Sequence, residues 1–516
     1  MVIGVLDKVR DIKKNGVPVS DKPFSTQLRM TEQEALQAFG HTSFRDGQEE
    51  AVKEVLYGRS GVLLVYPTGH GKSLVFELPS LMVDEMTIVV SPLIALMKDQ
   101  VDKLRKLGID AIFINSSMTP KEQREALGRL MRGEPKMVYV SPERFTNNEF
   151  NRAFNGLDVG IFAVDEAHCI SRWGHDFRRA YSKLGEVIER VKPRQVIAAT
   201  ATATRKVQDD ICKNLGIPKA KRFVRSVHRP NLILAVVEGS RYSRLNVMAS
   251  FVADFHKKGQ RTGVIYSSWR SHAEDIGSFL NRNGIPATVY HGGKSPKVRT
   301  AIQDEWADNG GTIVATSAFG MGIDKPDVRF VIHDGLSQSI EEWYQESGRA
   351  GRDGNEALCL SFWDDEPRGR SSDWRVQEVL INQGNPRAED VEMLWVWLRD
   401  EARSQANGGE DAAILNLTQK EMEQKSGCYS ASGCMTFLYK KGAVKKLARG
   451  RYEVSLKVNG SFDYSELTAR REERLAKIQE VVQFYKSAEC RSALVCDHFG
   501  DDSFKGPCTS CDNCNP

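Results

Sequence analysis

Residues 61–73 read GVLLVYPTGHGKS. An apolar run short enough for a buried strand, 61–66, leads into the turn PTGHGKS and then into the helical pattern of 74–78. Strand, glycine turn and helix together make a phosphate cradle. Glycines let backbone N–H groups turn inward around phosphate oxygens, and the helix N-terminus adds favourable dipole charge. Thr68, Gly69, His70 and Gly71 form the turn, Lys72 reaches for β- and γ-phosphates, and the Ser73 hydroxyl suits Mg²⁺. The strict pattern has glycine at position 66, where this chain has Tyr66; the match is to the shorter T-G-x-G-K-S form. A glycine-rich turn alone is an ordinary loop, but the flanking strand and helix and the Lys-Ser pair argue against that reading.

Around this turn, short Val/Ile/Leu/Ala runs alternate with amphipathic stretches. Strands are expected at 87–90, 136–140, 159–164 and 195–199, with helices at 94–107 and 120–131. The pattern repeats with strands at 263–266, 286–290, 311–315 and 329–333 and helices at 271–283 and 298–308. Alternation of this kind predicts two α/β domains, each a mostly parallel sheet covered on both faces. Their join is placed near 227–235.

The strand 159–164 ends in Asp165-Glu166-Ala167-His168. Paired carboxylates at the C-terminal end of a strand suit a metal–nucleotide site: Asp165 for Mg²⁺, Glu166 to orient and deprotonate the attacking water. In isolation the same residues are an exposed acidic turn. PTGHGKS, DEAH, the triplet Thr200-Ala201-Thr202 and QESGRAGRDG (345–354) stand in the order of a superfamily 2 helicase. Three further stretches narrow the resemblance: FGHTSFRDGQ (39–48), CISRWGHDFRRAY (169–181) and Arg229-Pro230-Asn231. The chain resembles the RecQ family of DNA helicases over about residues 30–364 and again in its last cysteines. The resemblance implies two RecA-like motor lobes, ATP as substrate, adenine recognition by Arg45 and Gln48, and His168 as a member of the catalytic motif. It also implies that Gln345, Arg349 and Arg352 neutralise charge developing on the γ-phosphate. In ATSAFGMGID (315–324), Thr316 is expected at nucleic acid and Asp324 at the nucleotide cleft.

The loop 169–181 has a physical reading of its own. Trp173, Phe177 and Tyr181 alternate with Arg172, His175, Arg178 and Arg179; aromatics stack on bases and arginines follow phosphates. Trp173, Phe177 and Arg178 are the expected DNA contacts, the alternative being that these aromatics are core. Arg349 and Arg352, three apart, are expected on one helix face pointing across the cleft.

Ten cysteines are present, and Cys490, Cys508, Cys511 and Cys514 follow the spacing C-x17-C-x2-C-x2-C. Four soft ligands in such steps close a structural Zn²⁺ site, and the flanking AECRSALVCDHFG resembles the RecQ zinc module. Cys496 is expected to be buried in the helix after Cys490. In many relatives the zinc module follows the second lobe closely and a winged helix comes after it; here more than a hundred residues separate Gly354 from Cys490. The stretch 415–456 reads as a winged helix placed before the module, with helices at 418–427 and 431–447 and a wing at 448–458, the alternative being a small helical packing domain. Lys440, Lys441, Lys445, Lys446, Arg449 and Arg451 make it basic. With the chain ending two residues after Cys514, no further C-terminal domain of the family is expected.

The expected organisation is thus an N-terminal extension (1–29), an ATP-binding lobe (30–228), a second lobe (229–364), a helical connector (365–410), a winged helix (411–460) and a helix with the four-cysteine zinc module (461–516). Hydrophobic residues at 41% and charged residues at 27% are ordinary for a soluble protein, and a net charge of +4 decides nothing about partners. No run approaches a membrane span, and the N-terminus lacks a secretory pattern, so an intracellular, reducing location is expected: cytoplasm or nucleoid in a bacterium, nucleus in a eukaryote. The expected partners are single-stranded and duplex or forked DNA, with single-strand-binding or repair proteins, and no membrane. The alternatives are a DEAH-type RNA helicase and a DNA-binding scaffold with a degenerate motor; intact Lys72, Glu166 and Arg352 argue against the second.

Overall fold

The computed structural model describes residues 24, 28–92, 94–154, 156–171, 178–320, 325–364, 372–406, 411–448 and 450–515. Arg172, Trp173, His175, Phe177, Asp324 and Arg449 lie outside the described residues.

The first lobe is a seven-stranded sheet in the order β3-β4-β2-β5-β6-β1-β7. Its strands are β1 Val62–Val65, β2 Met86–Val90, β3 Ala111–Ile114, β4 Met137–Val140, β5 Val159–Val164, β6 Gln195–Thr200 and β7 Lys221–Val224. Every pairing is parallel. The central strands are buried on both faces, which is why they read as unbroken apolar runs instead of alternating ones. Fully burying a Val or Leu here contributes ~1.5–3 kcal/mol. Helices cover both faces and close two cores. The expected helix at 120–131 is Pro120–Met131, started by a reciprocal Thr119–Glu122 capping box.

The second lobe is a six-stranded parallel sheet, β10-β11-β9-β12-β13-β8. It is built from β8 Leu232–Glu238, β9 Gly263–Ser267, β10 Ala287–Tyr290, β11 Thr312–Ala315, β12 Phe330–Asp334 and β13 Ala357–Trp363. The join is therefore shorter than expected: Leu232 already opens β8, which pairs with β13 along its whole length.

A separate antiparallel sheet, β14-β16-β15, follows: β14 Ala412–Asn416, β15 Val444–Ala448 and β16 Arg451–Ser455. With helices Ala388–Gln405, Gln419–Ser426 and Ala431–Lys440 it has its own core around Leu394, Leu415, Leu438 and Val454. The helix expected over 431–447 stops at Lys440, because Gly442 adopts φ +71° and turns the chain into β15. The hairpin thus begins four residues earlier than the expected wing, and Lys445 and Lys446 are strand residues. In the connector, Asp373 opens helix Asp373–Gly384 and is buried.

Helix Ser465–Lys486 then returns to the second lobe. Phe484 packs edge-on against Trp343, and Tyr485 against Trp363. Helix Arg491–Phe499 and the cysteine loop complete the same core. Among the described residues, no helix is long and apolar enough to cross a membrane.

The second lobe is pinned to the connector by a buried ion cluster. Arg244 pairs with Asp334 at 2.9 Å and Asp373 at 2.8 Å, and Asp373 also accepts from the Asp364 backbone N–H. Arg244→Ala leaves two buried carboxylates without their cation and is expected to cost ~3–5 kcal/mol. Denaturant unfolding measures it, and a loss under about 1 kcal/mol, typical of surface pairs, would contradict this assignment.

Candidate functional site

The glycine turn leaves the C-terminal end of β1, and the Asp165–His168 motif leaves the C-terminal end of β5, with β6 between them. Gly69 at φ +84° and Gly71 at φ +72° need their glycines to make the turn. Tyr66 is not a vestige of a missing glycine. It is fully buried, its hydroxyl donates to the Gly47 carbonyl at 2.7 Å, and its own carbonyl accepts from Lys72 Nζ at 3.0 Å. Gln48 Nε2 donates to the carbonyls of His70 and Gly71, both at 3.1 Å, and Arg45 to that of Gly69. His70 reaches back to the Asp46 carbonyl at 3.3 Å and packs edge-on to Tyr66. The motif at 45–48 is thus bolted to the phosphate turn.

Burial pulls the Lys72 ammonium below its ordinary range, while Glu166 and Asp165 hold it up. Asp165 is pushed up to about 7, first by burial and then by the charge of Glu166, with Lys72 opposing. Glu166 sits at φ 47°, a left-handed backbone rare for a non-glycine and typical of strained functional positions. His168 is 1% exposed; its Nδ1 lies 3.0 Å from the Thr200 hydroxyl and 3.4 Å from Glu166 Oε2. The triplet at 200–202 is thereby joined to the acidic motif. One helical turn after Ser73, the Glu77 carboxyl is pushed up to about 7 by burial and accepts from the Tyr139 hydroxyl at 2.8 Å. Asp165 and Glu166 set two hard carboxylate donors beside Lys72, with the Ser73 hydroxyl next to it in sequence, the donor type that Mg²⁺ takes.

The second lobe faces this turn with its 345–354 segment. Helix Ile340–Ser347 ends before the arginines, so Arg349 and Arg352 lie on successive turns and not on one helix face as expected. Gly348 caps that helix, and Gly351 at φ +57° turns the chain again between the two arginines, which separates their positions. A Cβ placed on Gly69 would lie 3.6 Å from Arg352 Cγ, so Arg352 rests against the phosphate turn. Arg349 is 7% exposed and turned inward to Tyr266, whose hydroxyl donates to the Phe319 carbonyl at 2.8 Å. Gln345 is half-buried on the last turn of the helix, and Thr316 is half-buried at the end of β11. The cleft between the lobes has a volume of 390 Å³ and is lined by Arg45, Thr68, Gly69, His70, Arg225, Arg229, Asn231 and Arg352, among others. Arg225 carried no motif signal; its Nε pairs with Asp46 at 3.0 Å.

Of the aromatic loop, Tyr181 is core: it is 1% exposed and its hydroxyl donates to the Asp165 carbonyl at 3.1 Å. It buttresses the acidic motif and is not available for base stacking. Arg178 is half-buried and donates to the Pro92 carbonyl at 3.2 Å.

The sulfurs of Cys490, Cys508, Cys511 and Cys514 all lie within 4.8 Å of one another. Tetrahedral zinc–thiolate bonds of ~2.3 Å put sulfurs ~3.8 Å apart, so the four fit one ion. Backbone N–H groups of Cys508 and Cys511 point at the sulfurs of Cys490 and Cys508, each at 3.3 Å. Cys496 is fully buried in helix Arg491–Phe499, as expected, and is not in the cluster.

Comparison with known proteins agrees with this geometry. The DEAD/DEAH box helicase family matches residues 45–210, the helicase conserved C-terminal domain 243–354 and the RecQ zinc-binding family 453–515. The ATP-dependent DNA helicase RecQ of Bacillus subtilis is 42% identical over 348 residues, 67% of this chain and 57% of that protein. The "Probable ATP-dependent DNA helicase RecS" of the same organism is 36% identical over 370 residues, 71% of each chain. The chain therefore spans little more than half the length of its RecQ-named relatives. Among solved structures, the helicase MrfA bound to DNA shares the fold at a TM-score of 0.54 and 18% identity, covering 88% of this chain and 68% of that one. Cradle, acidic motif, opposed arginine and four-cysteine cluster agree with these matches: the chain belongs to the RecQ family of ATP-dependent DNA helicases.

Proposed function

We propose that the protein hydrolyses Mg-ATP to move along single-stranded DNA, 3′ to 5′ as the family resemblance implies, and to open duplex or forked DNA during repair, recombination or replication. The observation that carries this reading is Arg352 of the second lobe resting on the phosphate turn of the first. An active site split between two bodies turns hydrolysis into relative motion of the lobes. Lys72 binds the β- and γ-phosphates, Glu166 orients and deprotonates the attacking water, and Arg352 neutralises charge on the γ-phosphoryl group. Ser73 and Asp165 would hold Mg²⁺, which when bound neutralises the phosphates. Arg45 and Gln48 meet the adenine.

DNA contacts are assigned to Trp173, Phe177, Arg178 and Thr316, and Asp324 to the cleft. The unit at 411–460 is read as a winged helix whose basic hairpin, with exposed Lys445 and Lys446, meets duplex phosphates. Partners among single-strand-binding or repair proteins, and a location with the cell's DNA, follow from the same reading. The test is unwinding of matched 3′-tailed DNA and RNA duplexes with DNA-stimulated ATP turnover. Unwinding of RNA alone would favour the DEAH-type RNA helicase, and background turnover the scaffold.

Lys72→Ala is expected to abolish ATP turnover while retaining single-strand binding; normal turnover would refute the cradle. Glu166→Gln keeps the shape and removes the base, so it should still bind Mg-ATP but turn over ~10²–10⁴-fold more slowly. Loss of nucleotide affinity instead would make Glu166 a binding residue. Metal analysis of the purified protein should find about one zinc per chain, with Cys508→Ser losing the metal and folding yield together; zinc-free, fully folded protein would refute the site.

A further inference from the structure

The short linker between the lobes is gripped from two sides. On one side is the loop that follows helix Arg491–Phe499. Asp501 accepts from the Ser226 hydroxyl at 2.6 Å and the Val227 backbone N–H at 2.9 Å through one oxygen. Its other oxygen accepts from the backbone N–H and hydroxyl of Ser503, at 3.0 and 2.6 Å, which ties the carboxylate to its own loop. Phe504 stacks on His228 with ring centroids 3.8 Å apart and an interplanar angle of 12°. On the other side is the segment that carries the cleft arginine. The Tyr344 hydroxyl donates to the Val227 carbonyl at 2.7 Å. Arg229 donates to the carbonyl of Gly351 at 2.8 Å, and Asn231 to the same oxygen at 2.8 Å.

Val227 is thus held at its N–H by the zinc-module loop and at its carbonyl by the helix that precedes the arginines. Two residues further on, Arg229 fixes the backbone immediately before Arg352. We infer that Asp501 and Phe504 are positioning residues for the ATPase site: by fixing linker residues 226–228 they set where Arg352 meets the phosphate turn. This rests on the reading of Arg352 given above. It assigns the zinc module a part in hydrolysis separate from DNA contact, and it requires neither residue to touch nucleotide. The contact between Arg205 of the first lobe and Asp502 at 3.0 Å belongs to the same loop, but both partners are about 70% exposed. Such a pair contributes little and serves as the internal control.

The test compares Asp501→Ala, Asp501→Asn, Ser226→Ala, the Asp501→Ala/Ser226→Ala double variant, Arg205→Ala and Arg352→Ala in the full chain. Asp501→Ala is expected to lower the kcat of DNA-stimulated ATP turnover by ~10-fold or more, the scale of effect of a small misplacement at a reacting centre. Zinc content and affinity for a fluorescent ADP analogue should be unchanged. Asp501→Asn, which keeps an acceptor, should recover most of the rate. Ser226→Ala should move kcat in the same direction, with the double variant no worse than Asp501→Ala, because both remove one contact. Arg205→Ala should match the parent. Unchanged kcat in Asp501→Ala beside a crippled Arg352→Ala overturns the inference alone. Loss of zinc with a proportional fall in nucleotide affinity also overturns it and makes Asp501 a folding residue of the module. Normal turnover in Arg352→Ala removes the underlying reading and this one with it.

Discussion

Two like charges face each other across the lobes. Arg352 lies close enough to the cradle that its field opposes the ionisation of Lys72. Asp165 and Glu166 stand behind Lys72, and their proximity is itself costly, since Glu166 pushes against the charge of Asp165. In the reaction we propose, a polyphosphate entering the cleft answers both cations at once, and its loss restores their repulsion, which gives the lobes an electrostatic reason to close on ATP and part afterwards. The surrounding packing serves to keep these few charges in register: Tyr66 under the phosphate turn, Tyr181 under the acidic motif, His168 against Thr200.

The excursion between the second lobe and the zinc module is the chain's main architectural departure. Helix Asp373–Gly384 leads out and helix Ser465–Lys486 leads back; the two pack together, with Arg471 reaching Glu378 at 3.7 Å. Between them the chain forms a unit with its own core. The four-cysteine loop then meets β8 directly: the Asp512 backbone N–H donates to the Leu234 carbonyl, and its side chain accepts from the Val236 backbone N–H at 2.8 Å. A separation of more than a hundred residues in sequence is thereby closed in space.

Much of this was legible in the sequence because it is local. The cradle, the acidic motif and the cysteine steps are fixed spacings within one turn or loop, and fully buried parallel strands announce themselves as apolar runs. What was not legible depends on partners far along the chain. Tyr181 shares its arginine-rich neighbourhood with Trp173, and only the fold shows its hydroxyl at the Asp165 carbonyl. Asp501 carries no motif, and its partner Ser226 is 275 residues away. Composition also misled at 431–447, where lysines and leucines favour helix but Gly442 ends it. Arg349 and Arg352 have a helical spacing, yet the helix ends at Ser347 and the turn at Gly351 sends them to different surroundings.

The returning helix has a consequence for how the chain is made. Trp343, Tyr344 and Trp363 belong to the second lobe, yet the side chains that cover them, Phe484, Phe499 and Tyr485, are synthesised more than a hundred residues later. The second lobe cannot finish its core while its own residues are the only ones available. It must wait, with an aromatic seam open, through the synthesis of an entire intervening unit. Contacts so distant in sequence form late, and apolar surface held open in the meantime is what draws nascent chains into aggregates or onto chaperones. A message cut short after residue 464 would therefore yield a protein that has every motor motif and an uncovered hydrophobic face.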